Sequence, residues 1–441
     1  MSKYAIKEVI ARQIYDSRAN PTVEVDITLE GGARGRGMVP SGASTGAFEA
    51  LELRDKDPAV LGGKSVRKAI SNIQTSIANA LIGLDATCQA EIDATMIWLD
   101  GTENKSRLGA NAILGCSVAV ANAAADAYGV PLYRYLGGAQ ARTLPVPMVQ
   151  IIGGGAHAYG ATDIQDYLVI PMGGESFEAA YEMVVNVYNA AKAVFAKYGK
   201  PLSVADEGGL WPTGFASNEE GLALLTEAIS RAGYEPGKDV SIALDIASSE
   251  FYDKDKGLYR LALEDAEYDS GGFTDLLVSW ADKYPVISIE DGCSEFDWDG
   301  NALLTRKLGR RAQIIGDDLF TTNIGRIKKG VANRICNAVL IKMNQIGTIT
   351  ETLEAIEYTK TAGYLPVISA RSGETEDATI VHLAVATNAG QLKVGSVARS
   401  ERTAKWNEAI RIEQRLGAEG VYPSGGLFDR ILSSRAMPGS A

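Results

Sequence analysis

From residue 240 onward, short apolar runs end one after another in a charged or hydroxyl residue: SIALD at Asp245, VISIE at Glu290, QIIGD at Asp317, AVLIK at Lys342, LPVIS at Ser369 and Leu392 followed by Lys393. Each interval leaves room for the crossover of about a dozen residues that parallel strands require. In a barrel of alternating strands and helices, the carboxyl ends of the strands surround one mouth, so side chains distant in sequence meet there. Upstream, LPVPMVQII and DYLVIP read as two further consecutive strands, followed by the helical stretch SFEAAYEMVVNVYNAAKAVFAKYG. Two strands plus six strand-and-helix units make an eight-stranded α/β barrel.

A barrel of about 250 residues leaves the start of this 441-residue chain for a smaller domain. VEVDITLE and GRGMVP flank Gly31-Gly32 with alternating polarity, the pattern of a hairpin in an antiparallel sheet. Val66, Ile70, Ile73, Ile77 and Leu81 recur at helical spacing, and the alanine-rich run from Leu108 to Gly129 reads as a second, tightly packed helix. The expected organisation is an N-terminal α+β capping domain over 1–140 and a catalytic barrel over 141–441.

A net charge of -12 argues against nucleic acid or an anionic membrane surface as the main partner. The N-terminal MSKYAIKEVIARQIYDSR has no apolar signal core and no uninterrupted apolar run reaches bilayer length, so the expected location is the cytoplasm. Cys88, Cys116, Cys293 and Cys336 lie far apart without a C-x-x-C pair, which reads as free thiols rather than a zinc site or disulfide framework.

Asp245, Glu290 and Asp317 offer three oxygen ligands on successive units, a donor set suited to Mg2+ rather than zinc or copper. Lys342 follows a short apolar strand, where its head must reach the mouth. A cationic neighbour such as Lys393 is expected to lower its pKa, so that the amine serves as a base beside a carboxylate. His157 stands in the glycine-rich loop IIGGGAHAYG and is expected in the pocket, whereas His382, in the apolar stretch TIVHLAVATNAG, reads as a satisfied core residue. No dinucleotide or phosphate-loop fingerprint accompanies the glycines.

Over essentially its whole length the chain resembles enolase. The matching stretches are NPTVEVDITLE, VPSGASTG, LGANAILG, DEGG from Asp206, IALDIASSEFY, SIED, GDDLFTTN, IKMNQIGT, RSGETEDATI and VARSERTAKWNEAIRIE. The resemblance implies an eight-stranded barrel whose first two strands are antiparallel, at least a dimeric assembly, and a small phosphorylated carboxylate substrate. It implies Asp245, Glu290 and Asp317 as ligands of one magnesium and Ser41 as a ligand of a second. It further implies Lys342 as the base, Lys393 as a partner of the substrate carboxylate, Arg371 and Ser372 as the phosphate pair, Glu207 as an acid for the leaving hydroxyl, and His157 and Gln165 as pocket residues. A lysine base paired with Mg2+ is general to that superfamily.

Some positions depart from the usual enolase pattern. Ala370 replaces a histidine, Asp166 a glutamate, Gly292 a proline, Leu210-Trp211 a Phe-Ala pair, Ser396-Val397 an Ala-Pro pair, and Phe48 a polar residue. Read as converging on the pocket, with Asp166 on the acid side of catalysis, these changes point to a divergent paralogue. The branch it most resembles is carboxyphosphonoenolpyruvate synthase of phosphonate antibiotic biosynthesis, which uses a CMP conjugate of phosphonoformate. Two alternatives stand beside that expectation: an ordinary enolase, and a non-catalytic enolase-like binding protein.

Overall fold

A computed structural model describes residues 2–43 and 45–429, so Ser44 of the glycine-rich loop and residues 430–441 of the stretch assigned to the barrel lie outside it. Near the N-terminus, β1 (Ile6–Tyr15), β2 (Pro21–Leu29) and β3 (Arg34–Met38) form an antiparallel sheet. On β2, Val23, Val25, Ile27 and Leu29 are fully buried, while Glu24 and Asp26 pair with Arg12 and Arg36 on the other face. The expected turn is present, with Gly32 at φ +89°.

Helix α1 (Ala110–Tyr128) packs on this sheet, and the residue types explain how closely. A Cβ on Gly35 would come within 2.1 Å of the Ala119 carbonyl oxygen, and one on Gly37 within 2.6 Å of that of Gly115. Only glycine on the strand and alanine or glycine on the helix permit that approach. By length and composition α1 is apolar enough to cross a membrane, but 83% of that apolar window is buried inside the protein. The expected helix ending at Leu81 runs from Arg67, with one widened turn over Ile73–Ile77.

The barrel strands are β4 (Val146–Gly153), β5 (Asp166–Pro171), β6 (Val240–Asp245), β7 (Val286–Glu290), β8 (Gln313–Gly316), β9 (Ala338–Ile341), β10 (Leu365–Ser369) and β11 (Gln391–Gly395). They close into a ring through the pairing of β11 with β4. Strand β5 runs antiparallel to both neighbours, and every other pair within the ring is parallel. Met148, Leu168, Ile170, Ala243, Ile287, Ile315, Leu340 and Val367 fill the interior.

The reversed strand matters for the site. Because β5 runs downward, its first residue, Asp166, pairs in register with Asp245 at the end of β6 and Gly153 at the end of β4. A chain start on one strand thereby joins the strand ends of the others at the mouth.

Candidate functional site

Three acids and two lysines meet at the barrel mouth. Lys393 Nζ lies 2.7 Å from both Asp245 Oδ2 and Glu290 Oε2. Lys342 Nζ pairs with Asp317 Oδ2, whose other oxygen accepts from Gln345 at 2.8 Å, and Gln165 donates to Asp245 Oδ2 at 3.2 Å. Burial opposes charge on Lys393, but Asp245 and Glu290 outweigh it and hold the ammonium well above its usual range. Burial also works against the Asp245 carboxylate, which Lys393 nevertheless holds below its usual range. Burial and the nearby Asp245 charge push Glu290 well up.

The expected lowering of Lys342 is not found. Burial and Lys393 do push the amine down, yet Asp317 overrides them and raises it. As the residues stand, Lys342 is an ammonium tied to Asp317.

On the opposite chemical side of the cleft, His157 Nδ1 lies 3.0 Å from Asp166 Oδ1, and His157 Nε2 lies 3.9 Å from Glu207 Oε1. Gln150 donates to the same Asp166 oxygen and accepts from the Gly209 amide at 2.9 Å, tying Asp166 to the DEGG turn. Burial disfavours the imidazolium, but Asp166 and then Glu207 outweigh it and lift His157 to about 9. The sequence reading missed Gln150, an interior strand residue that looks like core filling until its neighbours are known.

Arg371 is almost completely buried, and burial opposes its charge, but the Glu49 carboxylate overrides this and raises its pKa. Its guanidinium donates to Glu49 at 2.9 and 3.2 Å and to Asn344 Oδ1 at 3.1 Å. Ser372 Oγ accepts from the Ala43 amide at 2.7 Å, so the loop from Ser41 to Ala50 is fastened at both ends to the proposed phosphate pair. Glu49 also escaped the sequence reading. Ser41 itself is not brought to the acids: its hydroxyl donates to Glu52 at 3.0 Å and accepts from Arg54 at 3.1 Å.

The donor chemistry fits Mg2+. Asp245, Glu290 and Asp317 are all largely buried, Lys393 pairs with the first two and Lys342 with the third, and Glu290 Oε1 has no hydrogen-bond partner among the described residues. Buried hard oxygens in that number suit a small dication. Two groups of acids and imidazole hold their ligand atoms within 4.8 Å of one another, and the set of Asp245, Glu290 and Asp317, as it stands with its lysines, is neither of them. Asp291 beside Asp317 and Asp318 accepts both of their amides at 2.9 Å and so caps the end of β8. His157 with Asp166 and Glu207 is the other, joined by the 3.0 Å hydrogen bond to Asp166 and the longer ion pair to Glu207.

The departures from the usual enolase pattern do not converge on the pocket, contrary to expectation. Ala370 and Asp166 line it. Gly292 instead faces the barrel wall, where a Cβ would lie 2.4 Å from Leu304 Cδ2 and 3.3 Å from Leu277 Cδ1. Phe48 is half-exposed under the Arg326 guanidinium, 3.6 Å from its ring centre. Trp211 packs at a tilt against the exposed Tyr159, and Val397 belongs to a separate groove with Tyr188 and Leu202. The four cysteines are free, and burial pushes the Cys293 thiol up to about 12. His382 Nε2 pairs with Glu408 at 3.4 Å and the ring stacks on Tyr133, but its buried Nδ1 has no hydrogen-bond partner among the described residues, so the expected satisfied histidine is only half satisfied.

The described geometry has close relatives. The C-terminal TIM barrel domain of enolase matches residues 141–429 and the N-terminal domain of enolase matches residues 6–136. The chain is 66% identical over 428 residues to Enolase 1 of Desulfitobacterium hafniense (strain Y51), covering 97% of this chain and 98% of that protein. These matches favour the ordinary enolase over the phosphonate synthase expected from the substitutions, and they give the CMP conjugate no support. Matched by both domain models and along nearly its full length, the chain belongs to the enolase family.

Proposed function

We propose that this chain is a Mg2+-dependent phosphopyruvate hydratase, converting 2-phosphoglycerate to phosphoenolpyruvate and water. The observation that carries the reading is that one cleft is lined by a lysine, Lys342, by an acid and imidazole set, Glu207, Asp166 and His157, and by an anion pair, Arg371 and Ser372.

In this reading Lys342, once neutral, takes the proton from the carbon bearing the phosphoryl oxygen. The electron pair left behind spreads into the substrate carboxylate, where the Lys393 ammonium meets the growing charge. Collapse of that charge forms the carbon–carbon double bond and expels hydroxide from the next carbon. The His157 imidazolium passes its proton to Glu207, 3.9 Å from Nε2, as Glu207 passes one to the departing hydroxide, so that water leaves and His157 ends neutral. Arg371 and Ser372 hold the phosphoryl group and so fix which proton faces Lys342. Asp245, Glu290 and Asp317 would hold Mg2+, which would offset the doubly charged carboxylate and compete with Lys342 for Asp317.

His157 explains how the acid side works despite Ala370. An imidazole is missing at 370, but His157 supplies another, held charged by its hydrogen bond to Asp166 and by the Glu207 carboxylate 3.9 Å away. As in its family, the chain is taken to act as a homo-oligomer. Phosphorus NMR of the protein with Mg2+ and 2-phosphoglycerate is expected to show phosphoenolpyruvate forming at once. No conversion, with a new phosphonate signal only when the CMP conjugate of phosphonoformate is added, would replace this reading with the synthase.

A further inference from the structure

Behind the anion pair stand two completely buried cations that the mechanism above does not use, Arg402 and Lys405, one helical turn apart on the helix Ser400–Leu416. Arg402 Nη1 donates to the Arg371 carbonyl at 2.6 Å and to the Val394 carbonyl at 2.8 Å, and its Nη2 donates to the Ser372 carbonyl. Lys405 donates to the Thr375 carbonyl at 2.7 Å and pairs with Glu374 at 2.9 Å, while the other Glu374 oxygen accepts from the Arg371 amide at 2.9 Å. Segment 371–375 is thus suspended from one face of a neighbouring helix.

We propose that Arg402 is the positioning residue of the anion subsite, setting the Arg371 and Ser372 side chains for a phosphoryl group through their backbone carbonyls. A planar guanidinium offers several donors in a fixed fork, so it can grip two adjacent carbonyls and a third on β11 at once. An ammonium offers a point charge without that plane. Glu401, 3.4 Å from Nε, offsets part of the guanidinium charge, so what Arg402 gives the subsite is geometry, held by the fork. Three linked strands of geometry depend on it: the end of β11 that carries Lys393, the Arg371 peptide, and Ser372 with its tie to Ala43.

The proposal rests on the phosphate role assigned above to Arg371 and Ser372. Its test uses the full-length Mg2+-loaded protein, with inorganic phosphate titrated by calorimetry beside steady-state turnover of 2-phosphoglycerate. Arg402→Met keeps the buried stem and removes the fork; Arg402→Lys keeps the charge. Arg402→Met is expected to weaken phosphate binding and raise KM by about tenfold to a hundredfold, with a smaller change in kcat, and Arg402→Lys to recover part of both. A residue that served stability alone would lower the melting temperature and the active fraction while leaving KM and phosphate affinity per folded molecule unchanged, and that result overturns the proposal. If Arg402→Met does not fold, Arg402→Lys decides: wild-type phosphate affinity in it overturns the proposal, and a weakened affinity supports it. A wild-type protein that binds phosphate without turning over 2-phosphoglycerate would sink the hydratase reading, and the effect of Arg402 on phosphate affinity would still be read.

Discussion

Asp166→Asn should lower the pH at which His157 loses its proton from about 9 to 6.5 or below. Burial alone disfavours the imidazolium, and Asp166 is the largest of the three carboxylate influences, ahead of Glu207 and Asp245, that reverse this. The gap between the ordinary 6.5 and about 9 corresponds to about 3 kcal/mol of preference for the charged form in the folded protein, at about 1.4 kcal/mol per pH unit. Since the folded value is raised, this stabilisation is full below pH 6.5 and disappears as pH climbs through about 9. Wild-type stability to urea should therefore fall over that window by about 3 kcal/mol from this group, and Asp166→Asn should remove most of the fall.

Two histidines in the whole chain make the assay direct. Imidazole NMR on histidine-labelled protein yields two titrations, with His382, paired to Glu408, as the reference for global effects. The reasoning is refuted if wild-type His157 titrates at or below 6.5, or if the substitution leaves its midpoint in place. Loss of proton delivery should lower kcat by about 10²- to 10⁴-fold in the same variant.

Three shorter expectations accompany it. Lys342→Ala should abolish solvent deuterium exchange at the substrate's α-carbon while phosphate affinity, which Lys342 does not touch, stays near wild type; retained exchange would assign the base elsewhere. Glu49→Gln removes the carboxylate partner of a largely buried Arg371, so stability should drop by about 3–5 kcal/mol and KM should rise, measured by thermal unfolding and turnover. Thiol titration of the native protein should show one fast cysteine, the exposed Cys88, because burial raises Cys116, Cys293 and Cys336; a second fast thiol would contradict that packing.

The barrel was legible because its signal is periodic and local. An apolar run ending in Asp245 or Lys342 marks a strand and its mouth end with no knowledge of neighbours. Asp166 was harder to place, since it opens a strand, and only the reversed direction of β5 brings it beside Asp245. The ionisation state of Lys342 was beyond the sequence. Lys393 was foreseen as the neighbour that lowers it, but the outcome depends on Asp317, which reaches the same amine from another strand.

The substitutions show where residue-by-residue comparison fails. Six departures grouped by family role looked like one remodelled pocket, and that grouping supported a new substrate. In space, Gly292 meets Leu304, Phe48 meets Arg326, Val397 lies beside Tyr188, and only Ala370 and Asp166 face the cleft. The Asp166 departure is supported on the spot, because Gln150 and His157 both grip its Oδ1 and so fix the shorter carboxylate at the mouth. A side chain's distance from the reacting atoms, not its rank in a motif, decides whether its replacement alters chemistry, and Arg402 makes the converse case: it lies outside the cleft lining, yet through three carbonyls it holds the residues that must grip the substrate.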